Sequence, residues 1–310
     1  MRLAMIGLGR MGGNMAQRLR NAGHDVVGYD RNPAISDAAD LGDLVGKLGD
    51  TQRVAWVMVP SGKPTDDIIE ELVELMGEGD VVVDGGNSNW RDSQRHGDEL
   101  AARGIGFIDC GTSGGIWGLQ EGYCLMVGGA TEDVAILQPA FDALAPEGGF
   151  AHVGPVGAGH FTKMVHNGIE YGIMQSYAEG YELLQAVDVD LDAMAAMKAW
   201  QHGSVVRSWL LDLLCLALED DPGLKSFRGY ASDSGEGRWT VNEAVRLAVP
   251  LPVISSALFS RFASRQDMSP AMQVISALRS QFGGHAEQAI ERRPAESMDG
   301  TSEQGKVVPG

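Results

Sequence analysis

The chain is poor in cysteine, in long apolar runs and in positive charge. Its three cysteines, Cys110, Cys124 and Cys215, are too few and too scattered among 310 residues for a disulfide framework or a zinc cluster. They read as small buried hydrophobes in a reducing compartment. The longest strongly apolar stretch, Trp209–Leu218, is short and carries Asp212, so it cannot span a bilayer. The opening residues, Met1–Ile6, are apolar but stop at once in a Gly-rich turn, which is no signal peptide. The expected location is the cytoplasm. Lys+Arg number 24 against 42 Asp+Glu, a formal net charge of −18. This excludes nucleic acid and anionic membrane as general partners, since both need a basic surface. A small anionic substrate stays compatible, provided a few Arg and Lys are concentrated at its site. No cluster of carboxylates and histidines suggests a metal, and no internal repeat of solenoid period is seen.

What is present is ordinary for a soluble globular enzyme: 44 % hydrophobic and 21 % charged residues. That balance excludes a collagen-like, coiled-coil or wholly disordered chain. At 33.0 kDa the chain exceeds the usual single-domain size, so two domains are expected. The first half alternates strand and helix patterns. Strands are expected at Arg2–Ile6, Asp25–Tyr29, Arg53–Val59, Asp80–Asp84 and Gly106–Cys110, with further ones at Tyr123–Val127 and Ala151–Val153. Helices are expected at Met11–Ala22, Thr65–Met76, Arg91–Arg103 and Glu132–Leu144. Continuous apolar strands between helices predict a parallel sheet covered on both faces, a doubly wound, Rossmann-like α/β domain over residues 1–156. Beyond it the strand signal fades. Gly157–Gln185 is a long helix candidate of about 40 Å. Helical patterns continue at Leu191–Trp200, Val205–Leu218, Thr240–Ala248, Pro252–Ser264 and Pro270–Phe282. Residues 157–285 are therefore expected to form an all-helical substrate and dimerisation domain. Residues 286–310, rich in Glu, Pro, Gly and Ser, are expected to be a disordered tail.

Gly7-Leu8-Gly9-Arg10-Met11-Gly12 stands between the first strand and the first helix, the context a G-x-G-x-x-G dinucleotide motif requires. The first glycine allows the tight turn, the second lets a pyrophosphate approach, and the third lets helix and strand pack closely. Asp30 ends the second strand, 23 residues after Gly7. A carboxylate there accepts hydrogen bonds from ribose hydroxyls and repels a 2′-phosphate, which favours NAD over NADP. Arg31 pulls the other way, because an adjacent guanidinium can pair with that phosphate. The turn Val59-Pro60-Ser61 after the third strand and Asn87 after the fourth complete the expected cofactor contacts.

The long helix carries an anomaly. Lys163, His166, Asn167 and Glu170 lie at i, i+3, i+4 and i+7, on one face, with Tyr171 beside them and apolar residues around. Polar groups in such a stripe cost several kcal/mol of desolvation unless they are paired or wetted by a ligand. The plain alternative is a solvated face or a structural Lys–Glu pair. Asn87, in a loop after the fourth strand, and Ser113-Gly114-Gly115, after the fifth, lie where open α/β sheets bind ligands.

Gly7–Gly12, Asp84–Ser88, Ser113–Gly118 and Lys163–Tyr171 together resemble the decarboxylating 6-phosphogluconate dehydrogenases, over residues 1 to about 285. Lys163, Asn167 and Ser113–Gly115 are shared by the wider β-hydroxyacid dehydrogenase superfamily; His166, Glu170 and Tyr171 are specific to this member. Arg279–His285 resembles the segment whose Arg and His reach into a partner subunit's site, and Gly235–Thr240 and Phe259–Arg261 also fit. Longer members have a duplicated helical half; this chain has room for one copy and resembles the short class, often NAD-linked. Where the long class has a phosphate-binding Lys, Ser234 stands here by spacing, and Arg238 is a candidate replacement. The resemblance implies oxidation at C3 of 6-phosphogluconate, loss of CO₂ and release of ribulose 5-phosphate. It assigns the base to Lys163, which has to start neutral, and the final acid to Glu170, whose protonated form burial would favour. It further implies that Asn87, His166 and Asn167 orient hydroxyls, and that Ser113, Gly114 and Gly115 hold the carboxylate. Tyr171, Arg261 and a partner's Arg279 would hold the phosphate, and a partner's His285 would also contact the substrate, in a homodimer or homotetramer. Two alternatives stay open. A 3-hydroxyisobutyrate-type dehydrogenase would oxidise without releasing CO₂, and a non-catalytic NAD-binding protein would bind cofactor without turnover.

Overall fold

The computed structural model describes residues 1–50 and 52–283. His285 and the segment 286–310, expected to be a partner-reaching residue and a disordered tail, lie outside the described residues. Seven strands form one sheet in the order β2-β1-β3-β4-β5-β6-β7. They are β1 (Arg2–Ile6), β2 (Asp25–Tyr29), β3 (Val54–Val57), β4 (Val81–Asp84), β5 (Gly106–Ser113), β6 (Cys124–Gly129) and β7 (Phe150–Gly154). Between them lie α1 (Arg10–Asn21), α2 (Leu41–Gly46), α3 (Lys63–Leu75), α4 (Trp90–Ala101), α5 (Gly118–Glu121) and α6 (Thr131–Leu144). The central strands β3 and β4 are buried along their whole length, as the unbroken runs Val-Ala-Trp-Val and Val-Val-Val-Asp require of strands covered on both faces. Two separate cores cover the two faces. One gathers Leu3, Met5, Met15, Trp56 and Phe141, the other Ile6, Leu44, Val57, Ile69 and Phe107.

The sheet departs from the all-parallel expectation at one place: β6 runs antiparallel to β5, in the register Ser113↔Cys124 to Ile108↔Gly129. The link from Ser113 to Cys124 holds only a 3₁₀ turn (Gly115–Trp117) and the short α5. A parallel return needs a crossover of a dozen or more residues, so the chain turns back on itself. The same pairing extends β5 through Gly111, Thr112 and Ser113, beyond the expected end at Cys110. Ser113 therefore sits at a strand end, not in a free loop. β1, β3, β4 and β5 are mutually parallel, so the turns that follow them, with Gly7, Met58, Gly85 and Gly114, gather along one edge of the sheet.

The remaining chain is helical: α7 (Ala158–Ala186), α8 (Ala193–Trp200), α9 (Trp209–Asp220), α10 (Glu236–Leu247), α11 (Pro252–Ala263) and α12 (Pro270–Gly283). α9 starts at Trp209 and not at Val205, because the Ser208 hydroxyl accepts from the Leu211 N–H and caps the helix there. α10 starts four residues before the expected Thr240. Gly237, inside the helix, has to be glycine because a Cβ there would stand 2.6 Å from the Tyr171 ring. The buried Asp109 carboxylate joins the two parts of the chain: it accepts from Gly157 N (2.7 Å) and His160 N (2.7 Å), the open donors at the start of α7. Among the described residues no helix is long and apolar enough to cross a membrane.

Candidate active site

The turn from β1 into α1 is shaped for close backbone approach. Gly7 has φ +91°, and a Cβ on Gly12 would stand 2.0 Å from the Gly7 carbonyl oxygen, whereas one on Gly9 would meet open space. At the end of β2 the Asp30 carboxylate accepts from Leu8 N (2.8 Å) through Oδ2 and from Asn32 N (2.8 Å) through Oδ1. This fixes it beside the glycine turn. A cavity of about 280 Å³ is lined by Gly7, Gly9, Asp30, Arg31, Val59 and Pro60. It shares Gly9, Met58, Val59 and Pro60 with a second cavity of about 630 Å³, lined also by Arg10, Met11, Gly12, Asn87, Ser113, Lys163, Asn167 and Glu170. The groove thus runs from the carboxylate of Asp30, past a helix N-terminus, to the amine of Lys163. That sequence of groups fits ribose, pyrophosphate and nicotinamide of a dinucleotide. Leu8 contributes its N–H to Asp30, and neither it nor Ser61 lines these two cavities.

α7 brings its polar face to this groove, as its spacing requires. Lys163 is buried, with Nζ 3.2 Å from Asn87 Oδ1 and 3.5 Å from Glu236 Oε1. Asn167 and the half-buried Glu170 line the same cavity. His166 lies against Asn167 (Nδ1 to Oδ1 3.0 Å) and lines an adjoining, mostly apolar cavity of about 910 Å³, which shares Ser113, Gly114, Gly115 and Glu170. Its apolar walls include Trp117, Phe161, Ile173, Trp209 and Leu213.

Other expected residues lie elsewhere. Tyr171 is buried against α10, where its ring packs on Gly237 and its Oη accepts from Ser234 N (3.2 Å). Arg261 stacks its guanidinium 3.6 Å from the Tyr171 ring centroid and donates to the Ser232 carbonyl. Neither lines the cavities just described, nor does the exposed Arg279 of α12. Arg238, the candidate replacement for a phosphate-binding Lys, donates twice to Asp233 (2.9 and 3.0 Å) and stacks on Phe262. Arg238, ahead of burial, which works the other way, and Arg265 hold the Asp233 carboxyl well below the usual range. Cys110 and Cys215 are buried as expected, and burial pushes the Cys110 thiol up to about 12. Cys124 is exposed, against expectation; it is the first residue of β6, paired with Ser113 at the end of β5.

Among the buried polar residues that sequence reasoning missed, three lie at or under α7. Glu236, quoted only within a motif, lies beside Lys163; a carboxylate between two glycines was the available signal. His160 and Ser93 form a buried pair (Nδ1 to Oγ 2.7 Å) under the start of α7, with no periodic signal to mark it.

Residues 2–154 match the NAD binding domain of 6-phosphogluconate dehydrogenase, and residues 159–292 match the 6-phosphogluconate dehydrogenase C-terminal domain. An NAD(+)-dependent, decarboxylating 6-phosphogluconate dehydrogenase of Haloferax volcanii is 43 % identical over 297 residues, covering 92 % of this chain and 98 % of that one. A putative 6-phosphogluconate dehydrogenase of Bacillus subtilis, YqeC, is 40 % identical over 295 residues, covering 92 % and 99 %. Among solved structures, Plasmodium falciparum 6-phosphogluconate dehydrogenase superposes with a TM-score of 0.79 at 23 % identity, covering 95 % of this chain and 67 % of that one. Mycobacterium tuberculosis 3-hydroxyisobutyrate dehydrogenase gives 0.70 at 21 % identity, covering 90 % and 99 %; at these identities the likeness is one of fold.

Proposed function

The chain belongs to the 6-phosphogluconate dehydrogenase family, and we propose that it oxidises and decarboxylates 6-phosphogluconate to ribulose 5-phosphate and CO₂ with NAD as hydride acceptor. The observation that carries this reading is the shared cavity: Lys163, Asn167 and Glu170 of one helix face the same space as Gly9–Gly12, Asn87 and Ser113. When bound, NAD supplies the acceptor for the C3 hydride.

The chain's own residues then have these tasks. Gly7, Gly9 and Gly12, with the N–H groups opening α1, hold the pyrophosphate, while Asp30 takes the ribose hydroxyls and disfavours a 2′-phosphate. Lys163 Nζ removes the C3 hydroxyl proton. The β-keto acid so formed loses CO₂, because the C3 carbonyl accepts the electron pair. Glu170, seven residues on and facing the same cavity, returns a proton to C1 of the enediol. Asn87, His166 and Asn167 orient hydroxyls; Ser113, Gly114 and Gly115 hold the carboxylate through hydroxyl and N–H groups. The phosphate is assigned to Tyr171 and Arg261 together with the partner's Arg279, and the partner's His285 is a further substrate contact, in a homodimer or homotetramer. Residues 1–156 serve the cofactor and the helices from α7 onward the sugar acid, in the cytoplasm.

The test is direct. Incubation with 6-phosphogluconate should yield NADH and CO₂, with a higher kcat/KM for NAD than for NADP. NADH without CO₂ would point to simple β-hydroxyacid oxidation, no turnover would point to a binding protein, and a reversed cofactor ratio would mean that Arg31 outweighs Asp30.

A further inference from the structure

Glu236, which has no task above, is 2 % exposed, with Oε1 3.5 Å from Lys163 Nζ and Oε2 without a hydrogen-bond partner. A carboxylate so deeply buried is costly unless it is paired, and the fold holds it there firmly. α10 is docked on α7 so tightly that a Cβ on Gly168 would stand 2.9 Å from Thr240 Cγ2. The buried Thr240 hydroxyl lies 2.8 Å from the carbonyl oxygens of both Met164 and Glu236. Glu236 also occupies the first turn of α10, where the helix dipole favours negative charge. Asn87 Oδ1 reaches the same amine at 3.2 Å. A neutral amine carries two N–H bonds and one lone pair in tetrahedral directions. With the N–H bonds directed to Asn87 and Glu236, the lone pair is left for the cavity that Lys163 lines.

We propose that Glu236 is a positioning residue for the reaction assigned above: with Asn87 it orients the neutral Lys163 amine toward the substrate hydroxyl, and it holds the ammonium once that proton has been taken. The proposal rests on Lys163 being the base. In that step the C3 hydroxyl O–H bond breaks, an Nζ–H bond forms, and the C3 hydride goes to NAD. The titratable groups around the pair are His160 and Glu170 of α7, facing Glu236, and Cys124 of β6, facing Lys163. Burial pushes the Glu236 carboxyl up, and Lys163 works against it.

The experiment compares wild type, Glu236→Gln and Glu236→Asp. In ¹³C-lysine-labelled protein the Lys163 Cε resonance, assigned by its loss in Lys163→Ala, should titrate roughly one pH unit lower in Glu236→Gln than in wild type. On the alkaline plateau, where the amine is neutral in both proteins, kcat with 6-phosphogluconate and NAD should fall roughly tenfold as the amine becomes a weaker, less oriented base. KM should stay within a factor of about two. Glu236→Asp, which keeps the charge but withdraws it by one methylene, should shift the titration less and in the same direction; it serves alone should Glu236→Gln fail to fold. An unmoved Lys163 titration overturns the proposal even where kcat falls, since structural damage alone lowers kcat without moving it. A raised KM at unchanged kcat overturns it as well, placing Glu236 on the substrate. Failure of the wild type to release CO₂ sinks the functional reading instead, while the titration still decides the Lys163–Glu236 pair.

Discussion

Lys163 shows what a single residue gains from its surroundings. On an exposed helix it would be a solvated cation. Here it is buried between Asn87 and Glu236 and opens into the groove that begins at Asp30. Lys163→Ala should lower kcat/KM for 6-phosphogluconate by roughly 10²–10⁴-fold, the usual worth of a positioned general base. NAD binding, measured by calorimetry, should persist, because Asp30 and the Gly7–Gly12 turn are untouched. Turnover within a few-fold of wild type would remove Lys163 from the role of base. The spacing of Lys163, Asn167 and Glu170 was legible because helical periodicity alone puts i, i+4 and i+7 on one face. Glu236 was not legible in the same way: no periodicity ties residue 236 to residue 163, and only the docking of α10 on α7 makes them neighbours.

Among the elements, α7 is the spine of the site, and two buried carboxylates brace it and the helices packed beside it. Asp109 takes its N-terminal donors, and Asp233 ties the start of α10 to the end of α11 through Arg238 and Arg265. The Asp233 side chain is 4 % exposed and its carboxyl is held well below the usual range, by Arg238 first. Its contribution to stability is therefore fully present above the unfolded-state value and is lost as pH falls through the lower folded-state one. Asp233→Asn should cost about 2 kcal/mol in chemical denaturation at neutral pH. The gap to wild type should narrow progressively below about pH 4, the ordinary aspartate value. A gap that stays constant down to acid unfolding would mean the ion pairs add nothing. At this scale the sequence was read well where strands are buried on both faces. It was misread where a cap or a short link decides the outcome, as at Ser208 for α9 and at the ten-residue return that makes β6 antiparallel.

The molecule as a whole is acidic, with a net charge of −18, and it leaves apolar side chains outside its cores. On α12 Met272, Val274, Ile275 and Leu278 are all about half exposed or more, in the same helix as Arg279. Apolar surface of this kind marks association. Sedimentation should therefore show at least a dimer, and an active monomer would contradict the shared site proposed for Arg279 and His285. What the amino-acid order determined by itself was local and periodic: the alternation of buried strand and amphipathic helix, the glycine turn before α1, and the polar stripe on α7. These depend on residues within a few positions of one another. The meeting of Asn87, Lys163 and Glu236 was decided only by tertiary packing, and so was the stacking of Arg261 on the Tyr171 ring. Those contacts join residues far apart in the chain, and they depend on which helix docks on which and at what depth.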